Sequence, residues 1–88
     1  MTYTVTDYTK RKAREIGVQV KPAKNPKKKL DVFRDGERIA TIGDTKYSDY
    51  PTYLKEKGST FANERRRLYH LRHTKDTLGE TLARTLLW

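Results

Sequence analysis

Arg65-Arg66-Arg67, followed by Tyr69, His70, Arg72, His73 and Lys75, puts five cations into eleven residues with no acid among them. Guanidinium groups present paired donors that match two phosphate oxygens, and a helix would space successive arginines along a polynucleotide backbone. The histidines add single donors. A second stretch, residues 10–29, carries nine basic side chains, among them Lys21, Lys24, Lys27, Lys28 and Lys29, against Glu15 alone. Together the two stretches exceed the chain's formal charge of +9, so the remainder is net acidic. Such segregation predicts an anion trap on one side of the molecule, whose pull on phosphate weakens as salt rises. The bland alternative is a solvated charged face in which Arg65 and Arg72, bordering an apolar stripe, pair with Glu56, Glu64 or Asp76, and only Arg66 and Arg67 stay available.

Other chemistries find less support. Tyr47, Tyr50, Tyr53 and Tyr69 could stack on unpaired bases, although rings at helical spacing around Leu54 and Leu68 are more often core. His70 and His73 lie at i, i+3, but without cysteine or an obvious acidic third ligand they make a poor metal site, and no cofactor is expected. The only serines, Ser48 and Ser59, sit outside any nucleophile elbow, and the five glycines show no phosphate-loop spacing. A non-catalytic protein is the expectation.

The elements that must position these cations are small. In 88 residues, 34% of them apolar, folding removes only roughly 60–65% of the surface exposed by the open chain. The absence of cysteine excludes a disulfide framework, and no stretch reads as a leader or membrane span, so an intracellular protein with no membrane partner is expected. Thr2 to Tyr8 alternates like a short strand, residues 9–17 read as a helical turn or coil, and Val18 and Val20 suggest another brief strand. Two prolines and five lysines between Lys21 and Lys29 read as a mobile basic arm. Asp35-Gly36 between two β-prone runs predicts a type I′ hairpin, with Arg34 opposite Glu37, Val32 opposite Ile39 and Leu30 opposite Thr41. Leu30, Val32 and Ile39 should then share the core face.

Helical character follows. Asp49 is placed to cap a helix through Lys57, closed by Gly58, and the next helix should run from Ser59 or Thr60 to about Thr74, docking through Phe61, Leu68 and Leu71. Thr77-Leu-Gly-Glu80 has the form of a capping box before a last helix whose Leu78, Leu82 and Leu86 supply much of the core, with Trp88 as a buried plug. The predicted architecture is α+β: a basic arm or partly ordered strand over residues 1–28, then one domain over 29–88 in which a hairpin or three-stranded sheet packs on two or three C-terminal helices.

From Gly43 to Trp88, the pieces Tyr47-Ser-Asp-Tyr50, Glu64-Arg-Arg-Arg-Leu-Tyr69, Arg72-His73 with Lys75, and Gly79 before Ala83-Arg84 and Leu86-Leu-Trp88 resemble a family of small basic proteins of DNA viruses, in tailed phages and giant viruses. The link at 55–58 is longer than the family pattern and that at 74–81 shorter. The resemblance covers about half the chain and implies a viral source more than a mechanism. The expectation is therefore a viral, weakly sequence-specific nucleic-acid-binding protein, DNA ahead of RNA, acting in the host cytoplasm or nucleoid through the Arg helix and the Lys arm. The alternatives are a virion structural protein docking on another viral protein, or a host-takeover factor binding a host protein. Exposed aromatics and a hairpin edge would allow a dimer.

Overall fold

A computed structural model describes residues 3–88 of the chain. Residues 3–6 have no regular structure, and α1 (Asp7–Ile16) begins where the sequence pattern suggested a strand; Thr2 lies outside the described residues. The local reason is capping at both ends. The Thr6 hydroxyl accepts the Thr9 N–H at 3.2 Å, and Gly17, at φ 77°, turns the chain left-handed so that its own N–H and that of Val18 return to the Ala13 carbonyl. The buried face of α1 is small, Thr9 and Ala13 one turn apart, so its helical periodicity sets small residues against basic ones rather than a stripe of large apolar side chains.

Three antiparallel strands follow in the order β1 (Gln19–Pro22), β2 (Lys28–Arg34), β3 (Glu37–Asp44). The expected arm is thus a strand, a turn and the start of another strand. Lys21 lies in β1, Lys24 and Lys27 in the turn, and Lys28 and Lys29 open β2. Pro22 is tolerated because β1 is an edge strand, and the turn is tied by the Lys24 N–H to Asp31 and the Thr45 N–H to the Lys27 carbonyl.

The Asp35-Gly36 turn has φ of 53° and 79°, as a type I′ turn requires, with Arg34 opposite Glu37 and Phe33 opposite Arg38. Beyond that pair the register departs from simple alternation. An irregularity between Val32 and Phe33 leaves Ile39 without a partner in the register, so Val32 meets Ala40 and Leu30 meets Ile42. The extra residue rotates Ile42 into the core, where it is buried, and leaves Ile39 half-buried.

The remaining elements are α2 (Tyr50–Lys57), α3 (Ser59–Arg72) and α4 (Leu78–Leu86). Leu30, Val32 and Ile42 from the sheet pack with Ala13, Val18, Leu82, Ala83, Leu86 and Leu87. The core therefore lies between the sheet and the pair α1 and α4, with α2 and α3 packed mainly on each other. The apolar stripe expected to dock α3 does not do so: Phe61 is 43% and Leu71 63% exposed, and Ala62 is the helix's buried residue. Leu78 is exposed too, and Trp88 is half-buried rather than a sealed plug.

A buried polar knot joins α2 to the N-terminal segment and the sheet. Asp49, fully buried, receives the Tyr3 hydroxyl at 2.6 Å and the Lys29 ammonium at 3.0 Å on Oδ2, and the Thr52 N–H at 3.1 Å on Oδ1. Beside it the α4 terminus is tied from two sides, the Leu86 carbonyl accepting the Thr9 hydroxyl at 2.7 Å and the Leu87 carbonyl accepting the Tyr50 N–H at 3.0 Å. Burial pushes the Asp49 carboxyl up, but the Lys29 charge and then the Thr52, Tyr3 and Lys29 hydrogen bonds outweigh it, so Asp49 titrates below the ordinary aspartate range. The same surroundings, burial foremost, push the Tyr3 phenol far up and keep it a donor.

Two sets of measurements check this frame. A Cβ at Gly43 would lie 2.8 Å from Leu87 Cδ1 and 3.0 Å from Lys29 Cβ, at a φ of +81°. Gly43→Ala is expected to cost about 1–3 kcal/mol in urea unfolding, whereas Gly79→Ala, with open space and ordinary helical backbone, should gain about 0.4–1 kcal/mol. Asp49→Asn keeps the shape and strands the Lys29 charge, so it should cost about 3–5 kcal/mol at neutral pH. Because the folded carboxyl is the stronger acid, its contribution is whole above about pH 4 and is lost as pH falls through the lowered folded value. The gap between wild type and variant should close in acid; a gap independent of pH would contradict the ionised knot.

Candidate nucleic-acid interface

The basic side chains do not gather on one side. They separate according to which way α3 turns them and whether a carboxylate is near. Lys29 is the plain correction: it was expected to reach phosphate, but it is 4% exposed and committed to Asp49, because β2 directs it under the N-terminal segment. Its ammonium also lies 5.3 Å from the centre of the Tyr3 ring.

On the outer side of α3, Asn63, Arg66, Arg67, His70 and Leu71 line a shallow depression. Arg67 is engaged there by Glu64, one turn back, with Nη2 to Oε1 at 2.6 Å and Nε to Oε2 at 3.1 Å. These hydrogen bonds hold the Glu64 carboxyl below its ordinary range. Arg66 lies 4.8 Å from the centre of the Tyr50 ring. Tyr50 in turn packs against Tyr8 of α1 at 5.4 Å, and Arg11 and Lys12 flank the Tyr8 ring. This ladder of cations and rings across three helices is invisible until α1 is known to be helical, and Tyr8, Arg11 and Lys12 are its unforeseen members.

On the inner side, a groove of ≈ 640 Å³ opens between the start of β2, the end of β3, α3 and α4. Arg65, Arg72 and Lys28 line it, so the Arg helix and the Lys-rich segment meet across one cleft. The pairing expected for Arg65 and Arg72 with Glu56, Glu64 or Asp76 is not found: among the described residues neither arginine makes an ion pair, since Glu64 is taken by Arg67. Arg65 instead lies 5.6 Å from the Tyr53 ring centre and 5.8 Å from that of Phe61, contacts that leave the guanidinium edge free to donate.

Aromatic rings line the same groove. Tyr69 stacks on Trp88 with ring centres 4.5 Å apart and planes 10° apart, and on His73 at 4.0 Å and 17°. Tyr53 tilts against Trp88 at 6.0 Å, and Tyr47 lines the groove with 70% of its surface exposed. Two acids are present, Asp44 and Glu80, and both are occupied. Asp44 accepts the Lys46 N–H, and Glu80 meets His73 Nδ1 at 3.3 Å, the Lys75 N–H at 3.1 Å and Arg84 at 3.7 Å. The His73 contact, ahead of the others, holds Glu80 below its ordinary range, and burial followed by Glu80 pushes the Tyr69 phenol up. The expected capping box is therefore half formed: Thr77 caps the Glu80 N–H at 3.3 Å, but the Glu80 side chain reaches Lys75 and His73.

Of the remaining expected contacts, Lys75 is exposed at the α3 to α4 link, Lys24 and Lys27 are exposed on the turn, and Lys21 lies over the Phe33 ring at 5.4 Å. Among the described residues no group of three or more His, Cys, Asp and Glu side chains could hold a metal, and no helix is long and apolar enough to cross a membrane. No family model, curated protein or solved structure matches the chain.

Proposed function

We propose that this chain is a non-catalytic nucleic-acid-binding protein that holds polynucleotide phosphates in the groove between α3 and the start of β2. The observation that carries the reading is the convergence of Arg65, Arg72 and Lys28 on one cleft with no carboxylate paired to any of them among the described residues. Arginines engaged by a neighbouring acid must give up that contact before they bind phosphate; these three need not. Lys24, Lys27 and Lys75 extend the positive field beyond the groove and would raise the encounter rate with a polyanion. Arg66, Arg67 and His70, on the other side of α3, make a secondary surface. The resemblance of residues 43–88 to small viral proteins is the support for a phage or viral source and for action within the infected cell, and phosphate contacts alone give weak sequence preference with DNA as the first substrate to test.

A salt titration tests the reading. Affinity for a generic oligonucleotide should fall steeply between low and physiological salt, with a linear dependence of log K on log salt concentration. Lys28→Ala with Arg72→Ala removes two exposed cations that support no other contact and should lower the slope by about two while leaving the unfolding midpoint unchanged. Arg67→Ala is expected to change the slope little, because Glu64 already neutralises it. Absence of binding to any duplex or single strand at low salt would overturn the proposal.

A further inference from the structure

The groove carries more aromatic surface than phosphate binding needs, and its form argues for the kind of nucleic acid that enters it. A cavity of ≈ 640 Å³ lies within the span of about 300–1,000 Å³ typical of sites that enclose a small ligand. The broad cylinder of a duplex would rest on such a cleft by its phosphates alone and leave Tyr47, the groove tyrosine that packs on no other ring among the described residues, without a partner, because paired bases are sealed in their own stack. An unpaired nucleotide could send its base inward while its phosphate stays with Arg72 and Lys28 at the lip. Tyr47, the most exposed large aromatic of the described residues, stands among these cations. No interior packing explains a ring left 70% exposed there, and a base has a flat face for it whatever its identity.

We infer that the groove is a single-strand site, in which Tyr47 takes an unpaired base within the groove that the Trp88–Tyr69 stack lines, while Arg65, Arg72 and Lys28 hold its flanking phosphates. The inference rests on the phosphate-binding reading and deepens it. Two arrangements in the fold support the geometry. The Trp88, Tyr69 and His73 rings are nearly parallel and stacked on one another, so this side of the groove is a fixed wall rather than a set of loosely placed side chains. Of the two acids in the lining, Glu80 is engaged by His73, the Lys75 N–H and Arg84, and Asp44 stands opposite Lys28 in the β2–β3 register, where the Lys28 charge offsets it.

Trp88 is the chain's only tryptophan, so its fluorescence reports on the groove alone. The experiment titrates the full chain at fixed low salt with an oligothymidylate, an abasic phosphodiester strand of equal length, a duplex, and an oligouridylate. The thymidylate strand should quench Trp88 and bind about tenfold tighter than the abasic strand, and Tyr47→Ala should erase most of that difference while leaving abasic binding and the unfolding midpoint unchanged. Tighter binding of the thymidylate or uridylate strand than of the duplex supports the site, and tighter binding of the duplex would overturn it. Equal binding of abasic and thymidylate strands, or a Tyr47→Ala protein that keeps the full difference, would overturn the single-strand inference and leave phosphate binding standing. Failure of every strand to bind would overturn both.

Discussion

One buried carboxylate organises the molecule. Asp49 joins the N-terminal segment through Tyr3, the sheet through Lys29 and the first turn of α2 through the Thr52 N–H. A buried ion pair gains little net stability over a well-packed apolar pair, since desolvation of both charges offsets their attraction, but losing either partner is expensive. Its value here is directional. The core proper lies between the sheet, α1 and α4, and α3 lends it almost nothing, with Ala62 its buried residue. The polar anchor at Asp49 and the Tyr50 N–H on the Leu87 carbonyl beside it act with the Tyr8–Tyr50, Tyr53–Trp88 and Tyr69–Trp88 ring contacts to fix the direction of the helical pair α2 and α3. The groove that collects Arg65, Arg72 and Lys28 is a consequence of that direction.

Charge alone is a poor guide to which cations can serve a ligand. Five basic residues along α3 and β2 have distinct fates: Lys29 is spent inside the fold, Arg67, which the sequence left available, is held by Glu64, Arg66 lies on an aromatic ladder, and Arg72, which the sequence paired with an acid, stays uncommitted at the groove with Lys28. Partition by partner, more than by count, gives the field its shape. The same partition explains why α3 can expose Phe61 and Leu71: the helix is placed by its neighbours' polar contacts and by stacking of Tyr69 on Trp88, with no need for a continuous apolar seam.

Local signals were legible in the sequence where short-range chemistry decides. Asp35-Gly36 specified its turn, Asp49 and Thr77 their helix starts, and Leu82 and Leu86 their place in the core, and the α+β class followed from them. The failures share a cause, which is that each depends on tertiary context. The unpaired Ile39 depends on Ile42 reaching α4's side of the sheet, and α1 has only the small Thr9 and Ala13 to bury, so no stripe of large apolar residues marks it. The prolines and lysines of 21–29 gave no hint that Lys29 would find a buried acid twenty residues on. For the interface, the basic residue types were evident, but their division between two sides of α3, and the meeting of Lys28 with Arg65 and Arg72, required the fold.

The measurement closest to the central claim is arginine side-chain NMR, following the Nε–Hε signals as a short oligonucleotide is added at low salt. The account expects the Arg65 and Arg72 signals to move first and together, with the Lys28 amide, while Arg67 remains near its free position on Glu64. Perturbation confined to Arg66, Arg67 and His70, with Arg65 and Arg72 unmoved at saturation, would contradict it.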